Sequence, residues 1–244
     1  MKLNSKLSHA PVFDDYAANY EVNLNKGLFF SGEKRDYFAQ GRVEWLKKTL
    51  EKINFIPHRV MDFGCGIGTN TGFLSKSFPD KPIIGVDVSK ESLECAKKTF
   101  QGPQNKSIHF VELADFYPQS NEKFDLLFTN GVFHHIASGE QSRVLQYLFS
   151  ALQEGGLIAL WENNPWNLGT RLVMKKIPFD KDANPMSVLE IKSMLKKAGF
   201  EVLKSDFLFI FPKILKFLRK LEPWVCQLPL GAQFQVLARK PKNG

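Results

Sequence analysis

Apolar residues at Tyr37, Phe38, Val43, Leu46, Leu50 and Ile53 recur at the spacing of one helical face, so residues 33–52 read as an amphipathic helix. A polar start and a short helix around 12–20 precede it. After Pro57 the period changes. Arg59-Val60-Met61-Asp62-Phe63 is a short apolar strand running into glycines, and 83–88, 108–113, 124–129, 157–161, 200–209 and 233–238 read as further strands. The run 124–129 is continuously apolar, as expected of a strand buried on both faces. Helices are expected at 91–99, at 140–152 (ended by Gly155-Gly156) and at 187–198 (ended by Gly199). Strands separated by helices imply parallel βαβ units with right-handed crossovers. The chain therefore divides into an N-terminal helical cap segment, 1–54, and one α/β unit, 55–244. Two long connections, about 163–185 and 211–231, interrupt the unit, and such insertions often shape binding sites.

The 244 residues suit one large α/β domain with spare length for a cap. With 43% hydrophobic and 24% charged residues the chain is not of disordered composition, and its 22 Phe point to an aromatic-rich core. The start lacks the apolar core of a secretory signal, and no run approaches the ~20 apolar residues of a membrane span. Cys65, Cys95 and Cys226 have neither metal-ligand nor redox spacing, so no metal is expected, and an odd, sparse set suits a reducing cytoplasm. The net charge of +8 is uneven: residues 1–170 hold 18 Lys+Arg against 19 Asp+Glu, and residues 171–244 hold 15 against 6. That basic last third forms either a solvated face or an attraction for an anionic acceptor, an anionic membrane surface or nucleic acid.

The candidate chemistry starts at Val60-Met61-Asp62-Phe63-Gly64-Cys65-Gly66-Ile67-Gly68-Thr69-Asn70, a strand, an acid, and Gly-x-Gly-x-Gly opening a helix. Glycines permit positive φ and close approach of a ligand to the backbone. The helix N-terminus offers free N–H groups to a carboxylate such as that of a bound amino acid. Asp87 ends the next strand, where an acid accepts hydrogen bonds from both ribose hydroxyls and repels a 2′-phosphate, disfavouring NADP. The NAD fingerprint Gly-x-Gly-x-x-Gly fails, because Thr69 or Thr71 occupies the third slot. Asp62 is a poor neighbour for a pyrophosphate and a good one for an ammonium.

At these residues the chain resembles the class I S-adenosylmethionine methyltransferases. Asp62–Gly68 is similar to the family's first motif and Asp87 to its ribose-binding acid. Glu112-Leu113-Ala114-Asp115-Phe116 is similar to the adenine segment. Phe124 to Asn130 with Val132-Phe133-His134-His135-Ile136 resembles the fourth strand of the ubiquinone/menaquinone- and trans-aconitate-type small-molecule enzymes, and Leu152–Leu157 the Gly-Gly turn before strand five. The resemblance implies an α/β, doubly wound, Rossmann-like seven-stranded sheet ordered 3-2-1-4-5-7-6, last strand antiparallel, with S-adenosylmethionine bound at the carboxyl ends of the strands and S-adenosylhomocysteine as product. In it, Asp62 organises the methionine amine beside Gly64, Cys65 and Gly66. Asp87 and Val88 meet the ribose, Asp115 and Phe116 the adenine, and Asn130 the methionine portion. Tyr16 and Tyr20 close over the ligand.

His134 and His135 follow the fourth strand, near the acceptor, and a His takes a proton from a hydroxyl or amine near neutral pH. A sulfonium is already activated, so positioning and exclusion of water supply most of the acceleration without a base. On the acceptor side, Glu162, Asn163 and Asn164 can bind hydroxyls, Trp166 can stack on a ring, and Arg171, Lys175 and Lys176 can hold an anionic group. The basic, aromatic stretch 207–221 reads first as a strand end and a helix packing on the sheet, and second as a peripheral membrane contact. The favoured function is methyl transfer to a small molecule, with oxygen slightly ahead of nitrogen and carbon. A nucleic-acid or protein methyltransferase is disfavoured because Thr129-Asn130-Gly131-Val132 stands where Asn/Asp-Pro-Pro-aromatic would mark amino-group methylation. An NAD-binding oxidoreductase and a donor-binding protein without turnover are the remaining alternatives.

Overall fold

The computed structural model describes residues 32–116, 122–176 and 184–242. The expected helix around 12–20, with Tyr16 and Tyr20, lies outside the described residues. Seven strands form one sheet: β1 (Val60–Phe63), β2 (Ile83–Asp87), β3 (Ile108–Glu112), β4 (Phe124–Asn130), β5 (Leu152–Asn163), β6 (Glu201–Leu208) and β7 (Gln233–Arg239). Their order is β3-β2-β1-β4-β5-β7-β6, and β7 runs antiparallel to both its neighbours. This is the sheet the resemblance implies.

The sheet is covered on both faces. Val60, Leu126, Phe128, Leu157, Ala159 and Trp161 pack with Val43, Leu46 and Leu50 of α1 (Arg35–Lys52) and Leu74 of α2 (Thr69–Ser77). Their chain neighbours Met61, Leu127, Ile158 and Leu160 face Val144 and Leu148 of α4 (Ser138–Ala151) and Ile191 and Leu195 of α6 (Val188–Lys197). Successive strand residues point to opposite faces, so a strand with two cores must be apolar throughout. Each such side chain, fully buried, contributes ~1.5–3 kcal/mol.

Local chemistry sets the helix ends. Ser89 caps α3 (Lys90–Thr99) by accepting from Ser92 N–H at 3.1 Å. Ser187 and Glu190 form a reciprocal capping box at the start of α6. Gly155-Gly156 does not end α4 as expected. The helix stops at Ala151, Leu152 is already extended and pairs with Phe124, and the two glycines form an irregularity inside β5, where Gly155 takes φ +75°.

The insertion after β5 carries α5 (Leu168–Lys176), and the one after β6 carries a 3-10 helix (Lys213–Leu221) and a single turn, α7 (Glu222–Val225). Phe207 and Leu208 are buried at the end of β6, as a strand end should be. The second half of that stretch departs from expectation: no residue of Lys213–Leu221 is buried. At three residues per turn, and with a kink at Leu215, its apolar positions fall on more than one face. The contact with the body is made instead by Arg219, which donates to Phe211 O, pairs with Glu33 at 3.0 Å and lies over the Tyr37 ring. No helix among the described residues is long and apolar enough to cross a membrane.

Candidate active site

The carboxyl ends of β1 to β5 and the start of β7 share one edge, since Phe63 aligns with Val86 and Thr129, Asn130 with Trp161, and Asn163 with Gln233. At that edge β1 turns through its glycine loop into α2. Gly64 has φ +73°, and a Cβ there would lie 2.2 Å from Val132 Cγ2, so only glycine fits. Gly66 also has positive φ, but a Cβ there would meet nothing within 4 Å. The loop is thus closed on the β4 side at Gly64 and open at Gly66.

Two carboxylates frame it. Asp87 Oδ2 accepts from Gly66 N–H at 2.7 Å and Oδ1 from Ser89 N–H at 2.9 Å, which fixes the group beside the loop. Asp62 lies beneath, buried, with Oδ2 accepting from Thr71 Oγ1 at 2.6 Å. Its other oxygen, Oδ1, has no hydrogen-bond partner among the described residues. Burial, aided by Asp87, pushes the Asp62 carboxyl up to about 7, against the opposing Thr71 bond and the Arg42 charge. Cys65 is buried, and burial together with both aspartates raises its thiol well above the ordinary range, so only its backbone is available to a ligand.

Asp115 is exposed past the end of β3, next to the strand that carries Asp87. Phe116 and Val88 are half-buried, and the Phe116 ring lies 6.0 Å from that of Phe124. Asn130 ends β4, its Oδ1 buried and without a hydrogen bond among the described residues.

The turn after Asn130 carries both histidines. Phe133–His135 is one 3-10 turn, held by Glu162 at the end of β5. Glu162 Oε1 accepts from Phe133 N–H at 2.8 Å, and Oε2 bonds His134 Nδ1 at 2.5 Å. The carboxylate accepts, so Nδ1 carries the proton and Nε2 is the basic nitrogen of His134. His135 is half-buried, its ring 4.0 Å from that of His134. Glu162 was expected to bind acceptor hydroxyls. It is instead buried, with both oxygens committed to this turn. Asn164 is corrected likewise: it is buried and donates to Pro229 O and Gly231 O. Asn163 accepts from Gln233, Trp166 stacks on Phe207 with 48% of its surface exposed, and Arg171 is exposed on α5.

Sequence reading missed Arg42. It is buried at the same edge and donates to Asn70 Oδ1 (3.1 Å) on α2 and Gln233 Oε1 (2.8 Å) on β7, while Gln233 donates to Asn163 on β5. One signal was available: Arg42 lies four residues from both Phe38 and Leu46, on the apolar face of its helix.

Residues 61–158 match the family model of the methyltransferase domain. A trans-aconitate 2-methyltransferase of Rhodopseudomonas palustris (strain HaA2) is 28% identical over 173 residues, 70% of this chain and 65% of the relative. Malonyl-[acyl-carrier protein] O-methyltransferase 1 of Ilyobacter polytropus is 28% identical over 144 residues, 57% of this chain and 50% of the relative. The chain thus spans about half to two thirds of the length of these curated relatives. Among solved structures, magnesium protoporphyrin IX methyltransferase from Synechocystis PCC 6803, with bound SAH, superposes with a TM-score of 0.62 at 18% identity, covering 94% of this chain and 99% of that one. The strand order and the glycine loop are those that the resemblance to the class I S-adenosylmethionine-dependent methyltransferases implies, and residues 61–158 are similar to a methyltransferase domain.

Proposed function

We propose that the chain transfers the methyl group of S-adenosylmethionine to an oxygen of a small anionic acceptor. The observation that carries the donor assignment is the pair of carboxylates framing the glycine loop, one buried with an oxygen left over and one beside an open glycine. The residues fit that donor. The spare Asp62 oxygen suits an amino acid's ammonium, directly or through water. A carboxylate has about four lone-pair sites, so Asp87 can receive ribose hydroxyls besides its two backbone donors. The open side of Gly66 lets a ligand lie against the backbone. In its ionised form, which an ammonium favours, Asp62 repels a pyrophosphate, and this disfavours a dinucleotide.

When bound, the donor supplies an electrophilic methyl group on a sulfonium. The chain's own residues then bind and orient. Asp115 and Phe116 are assigned to the adenine end, and Asn130, with its spare Oδ1, to the methionine end. Arg171, Lys175 and Lys176, on the helix that follows β5, are assigned to the acceptor's negative charge. Both named relatives act on acids, which supports a carboxylate acceptor. A carboxylate needs no general base. For a hydroxyl acceptor the base is His135, while His134, locked by Glu162, positions the turn.

The test is incubation with donor labelled in its methyl group and a panel of di- and tricarboxylates, hydroxy acids and nucleic acids. A methyl ester releases its label as methanol in alkali, whereas methyl ethers and methylamines do not. Alkali-labile label on a carboxylate acceptor is expected. Alkali-stable label on nitrogen or carbon, or label on nucleic acid alone, would overturn the acceptor assignment.

A further inference from the structure

We propose that the outer face of segment 213–230, together with the adjoining side of α5, docks on an anionic lipid bilayer and turns the acceptor side of the site toward it. Ile214, Phe217 and Trp224 are 85%, 69% and 81% exposed, and Leu228 and Leu230 are more than half exposed. Ordinary surfaces show such side chains singly, but here they follow one another along one connection. On α5, Leu168 and Leu172, one turn apart, are also exposed. The two pieces are bound together: Asn167 donates to Leu230 O at 2.7 Å, and Thr170 Oγ1 to Ala232 O at 2.8 Å.

The inward side of this segment is already occupied by polar bonds, so the exposed apolar side chains are not awaiting a place in the core. Arg219 pairs with Glu33, Glu222 accepts from Ile210 N–H at 2.6 Å, and Gln227 donates to the buried Asp206 at 2.7 Å. Because the segment joins β6 to β7, it stands at the same sheet edge as the glycine loop.

Charge selects the occupant. Lys213, Lys216 and Lys220 are exposed and interleaved with the apolar residues, and Glu222, turned inward, is the only acid between 211 and 231. Arg171, Lys175 and Lys176 extend the positive field onto α5. A second copy would bring the same lysines to a two-fold contact and be repelled. An acidic protein would meet the lysines but would need a matching pocket for each protruding apolar group. A headgroup layer adapts its shape, takes aromatic and aliphatic side chains into the acyl boundary, and leaves lysines at the phosphates. Docking does not depend on the methyl-transfer reading; only its consequence, an acceptor taken from the lipid phase, rests on it.

The test uses the full chain, without donor, in flotation with vesicles of phosphatidylcholine alone or mixed with phosphatidylglycerol. The chain should float with the mixed vesicles, stay behind with the neutral ones, and be released by salt. Removing the three lysines (Lys213→Ser, Lys216→Ser, Lys220→Ser) should weaken partitioning about a hundredfold. The triple change Ile214→Ser, Phe217→Ser, Trp224→Ser should abolish it, and neither variant should shift thermal unfolding, since these side chains lie outside the core. Brominated lipid should quench the unmodified chain's tryptophan emission, and Trp224→Phe should remove most of that quenching. The proposal is overturned if the chain ignores phosphatidylglycerol vesicles or if both triple variants float as before. It is equally overturned if light scattering shows this face making a dimer, or if it binds an acidic protein such as an acyl-carrier protein while ignoring vesicles. Donor binding, measured separately by calorimetry, is expected to survive in every variant, so failure of docking and failure of the donor reading are distinguishable.

Discussion

Asp62 and Asp87 are 25 positions apart in the chain and serve one loop in opposite ways. Asp87 is held by two backbone N–H groups and stays in reach of solvent, whereas Asp62 is buried with one bond and its carboxyl is pushed up to about 7. The folded chain therefore holds a proton on Asp62 that the unfolded chain releases near pH 4. Its contribution to stability is fully present below that pH and is lost as pH rises through about 7, a span on the order of 4 kcal/mol. Asp62→Asn should flatten this fall: urea unfolding at pH 5 and pH 8 should differ less in the variant than in the unmodified chain. Equal differences would mean that Asp62 is ionised in the free fold. A donor ammonium favours the ionised form, so donor affinity should decline below pH 7, and this slope should vanish in the same variant.

Among the elements, the glycine loop and the turn after β4 give separable outcomes. Gly64→Ala places a methyl group against Val132 at positive φ and should cost about 2–5 kcal/mol in unfolding measurements. Gly66→Ala meets open space, so only the ~1–2 kcal/mol of left-handed strain is lost, while donor binding falls because the methyl group fills the ligand's approach. Should Gly66→Ala bind donor normally, the open side is not the binding side. Glu162→Ala leaves Phe133 N–H and His134 without their acceptor and should destabilise by about 3–5 kcal/mol. Glu162→Gln, which keeps an oxygen for Phe133, should lose less. These elements also mark what could be read from the chain. The strand–acid–glycine run and the apolar β4 are local patterns, and each forms as read. Glu162 and Asn164 were misread because their partners lie 28 or more residues away, a pairing that only the register of β5 on β4 and β7 creates.

For the whole molecule, α1 is the element that ties the sheet edge together. Arg42 reaches α2 and β7, and Trp45 donates to Asp206 on β6 at 2.8 Å. The sequence predicted the helix but not this role, since periodicity assigns a face and cannot name what lies opposite. Arg42→Ala leaves the half-buried Asn70 and Gln233 without their donor and should lower both stability and donor affinity. A drop in stability alone would make Arg42 a fold residue without bearing on the site. The basic last third of the chain likewise takes on meaning only in three dimensions, where its lysines line an apolar connection at the sheet edge that carries the glycine loop. The most direct measurement of the central claim is calorimetric titration of S-adenosylhomocysteine, with NAD as comparison, into the unmodified chain and into Asp87→Ala. The account predicts one saturable site for the nucleoside in the unmodified chain, no heat from NAD, and a loss of ~1–3 kcal/mol of binding free energy in the variant. Binding of NAD in place of the nucleoside, or equal affinity in the two chains, would contradict it.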